Sequence, residues 1–193
     1  DDLDGELSAL RVAVRCSEPR KVLVVGMLRE NLLDAAAVQV PQGEAAIVYL
    51  QPQAKPGEAG DSADRLARAQ GVARITVFDD KLNPLAERLV YRNRRSRLQV
   101  QVEPHKKSYS PREQVTLAVT TRNSQGQAQP ATLALSVVDD TVLTFADDKT
   151  GHMLSRLYLE PELPGKVEEP NFYFDLTEEK SGLAMDLLMG TRG

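Results

Sequence analysis

The sequence predicts an all-β protein made of two tandem antiparallel β-sandwich domains. Short runs of β-branched or alternating apolar residues recur along the chain, and residues typical of turns separate them. Hydrophobic residues make up 41% of the chain but aromatic residues only 5%, so the core must consist mainly of aliphatic side chains. A length of 193 residues is long for one small sandwich and sufficient for two modules.

The first predicted domain covers residues 1–96. Residues 10–15 alternate between apolar and polar types, as in a half-buried strand, and residues 22–27 are almost continuously apolar, as in a strand covered on both faces. A long loop, residues 51–70, interrupts this pattern and has room for one helical turn. Further strands are predicted at residues 34–40, 45–50, 72–78 and 84–91, with a hairpin turn at 79–83.

A basic hexamer, residues 92–97, contains no apolar side chain and marks the predicted domain boundary. A charged linker accounts for it, because it lacks aromatic residues that could stack on bases and shows no helical amphipathicity. Docking of an anionic partner or of a membrane surface is the alternative interpretation.

The second predicted domain, residues 97–193, begins with the same alternation of strands and turns. This rhythm fails in an irregular insertion at residues 144–170, which contains several prolines and glycines. A strand-like Phe-Tyr-Phe segment follows within residues 171–176. The strands of this domain are predicted at residues 98–104, 115–120 and 131–138.

A helix is predicted over residues 177–190. Thr177 can cap its first turn, and Gly190 can end it. Spacing of i, i+4 predicts one apolar stripe, which we expect to dock within the chain. Contact with a following domain is the alternative. The stripe consists of Leu183, Ala184, Leu187 and Leu188.

The composition argues against several classes of function. A net charge of −4 disfavours a nucleic-acid-binding surface, because neutralising phosphates needs a concentrated excess of Lys and Arg. Cys16 is the only cysteine, so an internal disulfide and a cysteine-based metal site are excluded. No cofactor motif is present: the chain has no glycine-rich phosphate loop and no catalytic Ser-His-Asp signature.

Four segments together resemble bacterial alpha-2-macroglobulin-like proteins. They read GVARITVFD at residues 71–79, PLAERLVY at 84–91, KSYSPREQV at 107–115 and LSVVDDTVL at 135–143. Weaker similarity continues to about residue 190, while the first 70 residues are merely compatible with the family. By position, the two modules would correspond to the fifth and sixth macroglobulin domains, which are fibronectin-III-like sandwiches.

The resemblance implies a role as a non-catalytic part of a protease trap. In this family a protease cuts an exposed bait segment, the molecule changes shape, and the protease is engulfed or tethered through a reactive thioester. The implied partners are target proteases, neighbouring macroglobulin domains of the parent chain and other envelope proteins, in the periplasm. The alternative is a generic extracytoplasmic β-sandwich module for adhesion or ligand binding, although sugar-binding modules usually need exposed aromatic platforms.

The family's thioester motif is Cys-x-Glu-Gln, in which the glutamine side chain supplies the acyl group. Cys16 and Glu18 have the required spacing, but Pro19 stands where glutamine must be. Proline has no carboxamide, so this site cannot form a thioester. We expect Cys16 to be a half-buried cysteine at the end of a strand.

The insertion at residues 144–170 is the candidate protease-sensitive bait segment. A protease needs about eight residues in an extended, accessible conformation, and exposed loops are where nicking concentrates. The alternative is an ordered insertion that packs Leu154, Leu157 and Leu159 on the sandwich. The candidate recognition residues, which suit several classes of protease, are Lys149, Met153, Arg156, Leu157, Tyr158 and Lys166.

Paired acids and single histidines are the remaining candidates. Asp79-Asp80, Asp139-Asp140 and Asp147-Asp148 lack the alternating spacing that wraps one Ca²⁺ ion. His105 and His152 each lack a partner at ligand spacing, so neither is expected to bind a metal or act as a base.

Overall fold

Strands dominate the computed structural model of the chain, which describes residues 9–52, 61–138, 141 and 151–193. Contacts between residues divide the chain into two units. The first unit combines Asp1–Arg94 with Gly151–Gly193, and the second unit is Arg95–Thr150. The second unit is therefore inserted between two parts of the first.

The first unit contains two antiparallel sheets. One pairs β1 with β4, and the other has four strands in the order β3-β2-β5-β6. The predicted all-β sandwich class is confirmed, and the strands lie within a few residues of the predicted positions. They are β1 (Leu10–Arg15), β2 (Arg20–Leu28), β3 (Asn31–Val40), β4 (Ala45–Leu50), β5 (Gly71–Phe78) and β6 (Pro84–Arg92).

Aliphatic side chains fill the space between these two sheets. A Cβ atom added at Gly26 would lie 2.9 Å from Leu50 Cδ1, so the absence of a side chain lets β2 approach β4. Next to Gly26 the register of β2 against β3 shifts in a β-bulge. The strand cluster, our name for this core, consists of Leu10, Val14, Val22, Val24, Leu28, Leu33, Val40, Val48, Leu50, Ala73 and Ile75.

A helical segment covers the opposite face of the four-stranded sheet. It comprises α2 (Met153–Tyr158), two short 3-10 turns (Glu160–Glu162 and Phe172–Phe174) and α3 (Ser181–Arg192), whereas α1 (Asp61–Arg68) lies before β5. Its buried side chains pack on residues of β5 and β6. The helical cluster consists of Val72, Leu89, Tyr91, Leu159, Leu163, Val167, Phe174, Met185 and Met189.

The two faces of the four-stranded sheet bury different residues, because successive side chains of a strand point to opposite faces. In β5, Val72 lies in the helical cluster while Ala73 and Ile75 lie in the strand cluster. In β6, Leu89 and Tyr91 face the helical cluster while Val90 packs against the strand cluster. The four-stranded sheet is therefore the middle of three layers.

The predicted helix at residues 177–190 is wrong in its bounds and in its buried face. Thr177 bonds Asp175 outside the helix, because its hydroxyl donates to Asp175 Oδ1 at 2.6 Å, and α3 begins at Ser181. Of the predicted stripe, Leu183 and Leu187 are mostly exposed, and the buried pair at i, i+4 is Met185 and Met189. Docking within the chain is confirmed, since both methionines pack on β6.

Gly190 lies inside α3 instead of ending it. A Cβ atom at this position would lie 2.0 Å from Nη1 of Arg88. Arg88 also donates to Asp186 Oδ1 at 2.8 Å, so the glycine leaves room for a guanidinium that links β6 to α3. Close packing, and not helix termination, explains the glycine.

Two other local predictions are wrong. The Phe-Tyr-Phe segment forms the 3-10 turn Phe172–Phe174 instead of a strand, because its backbone bonds close locally, with Phe174 N donating to Asn171 O at 3.1 Å. Residues 131–138 form no strand, and all of them are exposed. No described strand pairs with residues 131–138. An isolated bridge joins Arg122 to Ala128, just before this stretch.

The second unit contains one hairpin in its described part. Strands β7 (Gln99–Pro104) and β8 (Leu117–Arg122) pair in antiparallel register, with Val102 opposite Val119. None of the residues that the structure describes between 95 and 138 is buried. The hairpin therefore presents its valines to solvent.

The contacts divide the chain differently from the predicted domains 1–96 and 97–193. The chain passes from the first unit to the second after Arg94, close to the predicted boundary. Residues 151–193, which the prediction placed in the second domain, pack with the first unit. Leu89 and Tyr91 give a reason, because they form an apolar surface on β6 that the helical segment covers.

Candidate protease-sensitive segment

Helix α2 occupies the middle of the candidate segment and is capped at both ends. At its start the His152 side chain accepts a hydrogen bond from the backbone N–H of Leu154, at 3.3 Å. The backbone N–H of His152 donates to Asn171 Oδ1 at 2.6 Å. At its end Leu159 N–H donates to the Ser155 carbonyl at 3.1 Å. These contacts hold a helix of only six residues in place.

One face of α2 is anchored in the helical cluster. Ser155 and Leu159 are fully buried, and the Ser155 hydroxyl donates to Glu160 Oε1 at 2.9 Å. The guanidinium of Arg29 lies 3.9 Å from the centre of the Tyr158 ring, a cation–π contact between the strand β2–β3 turn and the helix. Residues 152–159 are thus ordered by packing as well as by capping.

Aromatic rings complete this anchor. The imidazole of His152 stacks on the Phe174 ring, with centroids 5.1 Å apart, and Phe174 meets Tyr91 edge-to-face at 5.4 Å. Burial raises the pKa of the Tyr91 phenol, against a smaller lowering by the charge of Arg29. The phenol therefore stays neutral inside the cluster at physiological pH.

The opposite face of α2 presents candidate recognition residues to solvent. Met153 and Leu157 are 73% and 55% exposed, and Arg156 is exposed beside them. Tyr158 is half-buried, while Lys166 lies farther along the chain with its side chain beside Glu168. Lys149 lies outside the described residues.

The accessible side chains sit on a helical backbone. Proteases bind substrates in an extended conformation, so cutting at Arg156 or Leu157 requires α2 to open first. Of the leucines that an ordered insertion would pack, Leu159 is buried, Leu154 is partly buried and Leu157 is exposed. The assignment of residues 144–170 as a bait segment remains a prediction.

The predicted linker is partly a buried attachment point, which the sequence interpretation missed. Arg92, Asn93 and Arg94 are buried, whereas the rest of the hexamer is not. Arg94 Nη1 donates to the Tyr173 carbonyl at 3.1 Å and to Ser181 Oγ at 2.8 Å. The linker interpretation of residues 92–94 is therefore wrong, because these residues are buried and the Arg94 side chain donates to two groups of the helical segment.

Asn93 makes the second part of this attachment. Its side-chain amide donates to the carbonyls of Ala67 and Ala69, each at 2.9 Å. Its backbone is left-handed, with φ of 55°, a conformation that asparagine tolerates better than most residues. One signal in the sequence could have found this site: Leu89, Tyr91 and Asn93 continue the alternation of β6 into the hexamer.

The acidic pair Asp79-Asp80 lies in the turn between β5 and β6, as predicted. Asp79 Oδ1 accepts from the backbone N–H groups of Lys81 and Asn83, at 2.9 and 2.8 Å. The Asn83 side chain and backbone hold the pKa of the Asp79 carboxyl below its ordinary value. Among the described residues, no group of three or more metal-ligating side chains comes together.

Cys16 is a free, half-buried cysteine directly after β1, as predicted. It packs against the strand cluster and forms an isolated bridge with Gln42. Its surroundings are those of a structural cysteine.

One segment of the chain matches the model of a known protein family. Residues 87–145 match the family model of the alpha-2-macroglobulin bait region domain. A comparison with curated proteins finds no match. No helix among the described residues is both long and apolar enough to cross a membrane.

The matched segment contains the end of β6, the buried Arg92-Asn93-Arg94 attachment and the hairpin β7–β8. It lies inside the region of predicted resemblance and supports an alpha-2-macroglobulin-like relationship for this part of the chain. It also supports a scaffold of the protease-trap type, in a family of inhibitors whose partners are proteases.

Proposed function

We propose that this chain is a non-catalytic part of a bacterial, periplasmic protease trap, in which it supplies scaffold and the protease-cleaved segment at residues 144–170. The match of residues 87–145 to a bait region domain carries this proposal. Its two modules would be the fifth and sixth macroglobulin domains of the parent. The proposed partners are target proteases, neighbouring macroglobulin domains and other envelope proteins.

The exposed face of α2 supports the position of the cleaved segment. Met153, Arg156 and Leu157 offer apolar and basic side chains to proteases of different specificity. Opening of the helix is the cost of cleavage, so the rate at this site should follow the stability of α2.

Limited proteolysis of the full chain tests the proposal. We expect trypsin and chymotrypsin to cut first within residues 144–170, with mass spectrometry locating the cuts. The cut chain should keep its native circular dichroism and elute as one species. First cuts within residues 51–70, with residues 144–170 intact, would contradict the bait assignment.

A matched pair of variants tests the dependence on helix opening. Leu157→Gly should accelerate cleavage after Arg156 about fivefold relative to Leu157→Ala, because glycine costs roughly 1 kcal/mol more than alanine within a helix. Both variants remove the same exposed side chain, so packing differs little. Equal rates in the pair would show that α2 does not control access to this site.

A further inference from the structure

Strand β1 has a free edge in the described structure. It pairs with β4 on one side, and no other described strand lies on its second side. Its outward N–H and C=O groups are therefore available to another chain. The β1–β4 pair is held on the four-stranded sheet through the strand cluster, so this edge is presented on a packed scaffold.

A groove runs along this edge, between β1 and β6. Its volume is about 380 Å³, and every residue of β1 from Arg11 to Arg15 lines it, as expected if the groove follows the strand. At the β6 side, helix α3 contributes Asp186 to the wall. The apolar lining comes from Val12 and Val14 of β1, Ile75 and Val77 of β5, and Ala86 and Val90 of β6.

The two sides of the groove are treated differently by the fold. Helix α3 packs along β6, and a Cβ at Gly193 would lie 3.0 Å from the backbone nitrogen of Leu89. Among the described strands β1 pairs only with β4, so the edge of β1 that lines the groove makes no strand pairing there.

Charge on the exposed face of β1 selects the occupant. Arg11 and Arg15 are exposed and separated by Ala13, while the acids of the groove are already paired, Glu87 with Arg74 and Asp186 with Arg88. Opposite charges on neighbouring strands stabilise pairing, and like charges directly opposite destabilise it. The occupant should therefore carry acidic side chains beside the two arginines.

Charge opposes one register of self-pairing through β1. In an antiparallel pair of β1 strands centred on Ala13, Arg11 of one copy would lie opposite Arg15 of the other. Both cross-strand pairs would then repel. Self-association in a different register is therefore an alternative outcome of the binding test.

We propose that the β1 groove binds an extended segment of a partner protein, which adds to β1 as a strand. Apolar side chains at alternate positions of this segment face Val12, Val14 and Val77, and acidic side chains between them face Arg11 and Arg15. Backbone hydrogen bonds to β1 supply affinity, and the charge pattern supplies selectivity. This site is independent of the proposed cleavage segment.

Binding of synthetic peptides to the full chain tests the proposal. The probes are a heptapeptide of alternating Glu and Val and its counterpart of alternating Lys and Val. We expect the acidic peptide alone to bind wild-type protein in fluorescence anisotropy, and to slow hydrogen exchange of the β1 amides. The double variant Arg11→Glu/Arg15→Glu should weaken this binding by about tenfold or more and should bind the basic peptide instead.

The matched control is Arg20→Glu/Lys21→Glu, which reverses two exposed charges on β2 outside the groove and should leave acidic-peptide binding unchanged. The switch to the basic peptide separates loss of charge complementarity from misfolding of the Arg11/Arg15 variant. The proposal is overturned if neither peptide binds wild-type protein at roughly 1 mM. Equal binding of both peptides, exchange protection away from β1, or protection of β1 through self-association would overturn it as well.

Discussion

The four-stranded sheet is packed on both faces, but different kinds of side chain and different parts of the chain cover each face. The strand cluster on one face is aliphatic and comes from strands that follow one another closely in the chain. The helical cluster on the other face adds Tyr91, Phe174, Met185 and Met189, and it joins β5 and β6 to residues 159–189. One face thus closes through neighbouring strands, and the other through a segment beyond the inserted unit.

This difference has a consequence for the whole chain. Because residues 151–193 return to the sheet, both ends of the inserted second unit start from the first unit. The return contact consists of the helical cluster, the Arg94 hydrogen bonds and the Arg88–Asp186 ion pair. Closing so large a loop costs conformational entropy, and these contacts must offset that cost. Stability of the second face is therefore the property to test.

The largest effect should come from Phe174, the aromatic centre of the helical cluster. Phe174→Ala should reduce the free energy of unfolding by about 3–5 kcal/mol, because it empties a buried site that contacts Tyr91 and His152. Phe172→Ala, at a partly exposed ring in the same turn, should cost less than about 1 kcal/mol. Urea unfolding followed by circular dichroism measures both. Similar losses in the two variants would mean that this face is not a packed core.

The second test compares the two faces of α3. Met185→Ala should lower the free energy of unfolding by about 2–4 kcal/mol, since Met185 is fully buried. Leu187→Ala, at a mostly exposed position two residues later, should change it by less than about 0.5 kcal/mol. Thermal unfolding of the two variants decides between this helix orientation and the predicted Leu183–Leu187 stripe. A larger loss of unfolding free energy in Leu187→Ala than in Met185→Ala would support the predicted stripe as the buried face of α3.

The third test addresses the polar attachment. Arg94→Ala should cost about 2 kcal/mol, because it leaves the Tyr173 carbonyl and the buried Ser181 hydroxyl without their charged donor. Faster hydrogen exchange at the start of α3 should accompany the loss. Arg97→Ala, in the same basic run but not buried, is the control and should have little effect. An unchanged exchange rate in Arg94→Ala would contradict the role of Arg94 as an attachment of α3 and would favour the linker interpretation.

The smallest effect is expected at the hairpin that joins β5 to β6. Asn83→Ala should raise the pKa of Asp79 towards its ordinary value of 3.8, since the Asn83 side chain is the main cause of the lowering. A pH titration followed by NMR measures the shift, and Lys81→Ala should change it less. Because the folded-state pKa is lowered, the carboxylate stabilises the fold above pH 3.8, and this contribution is lost as the pH falls through the lowered pKa.

The strand cluster could be predicted closely from the sequence. The bounds of β1 and β4 coincide with the predicted ones, and β5 and β6 each extend the prediction by one residue. Their alternation or continuous apolar character is a local property, since burial on one face selects every second residue. The same rule failed at residues 131–138, where alternation exists but the described structure offers no partner strand.

The helical cluster and the candidate segment were predicted less well. The sequence indicated a helix near residue 180, but Met185 and Met189 were not recognised as its buried pair, because four leucine and alanine positions offered a competing stripe. Arg94 was interpreted as a solvated charge because arginine is seldom buried without partners. Its partners, the Tyr173 carbonyl and Ser181, are about 80 residues away in the chain.

By itself, the sequence determined the approximate positions of the strands in the first unit, the turn at Asp79, the inability of Cys16 to form a thioester beside Pro19, and the resemblance that the bait-domain match supports. These features depend on residue identity and on spacing over a few positions. Only the tertiary structure decided which face of α3 is buried, that the basic run begins inside the core, and that residues 151–193 pack with the first unit. Those features depend on which distant surfaces exclude water together, and short-range periodicity carries no information about that choice.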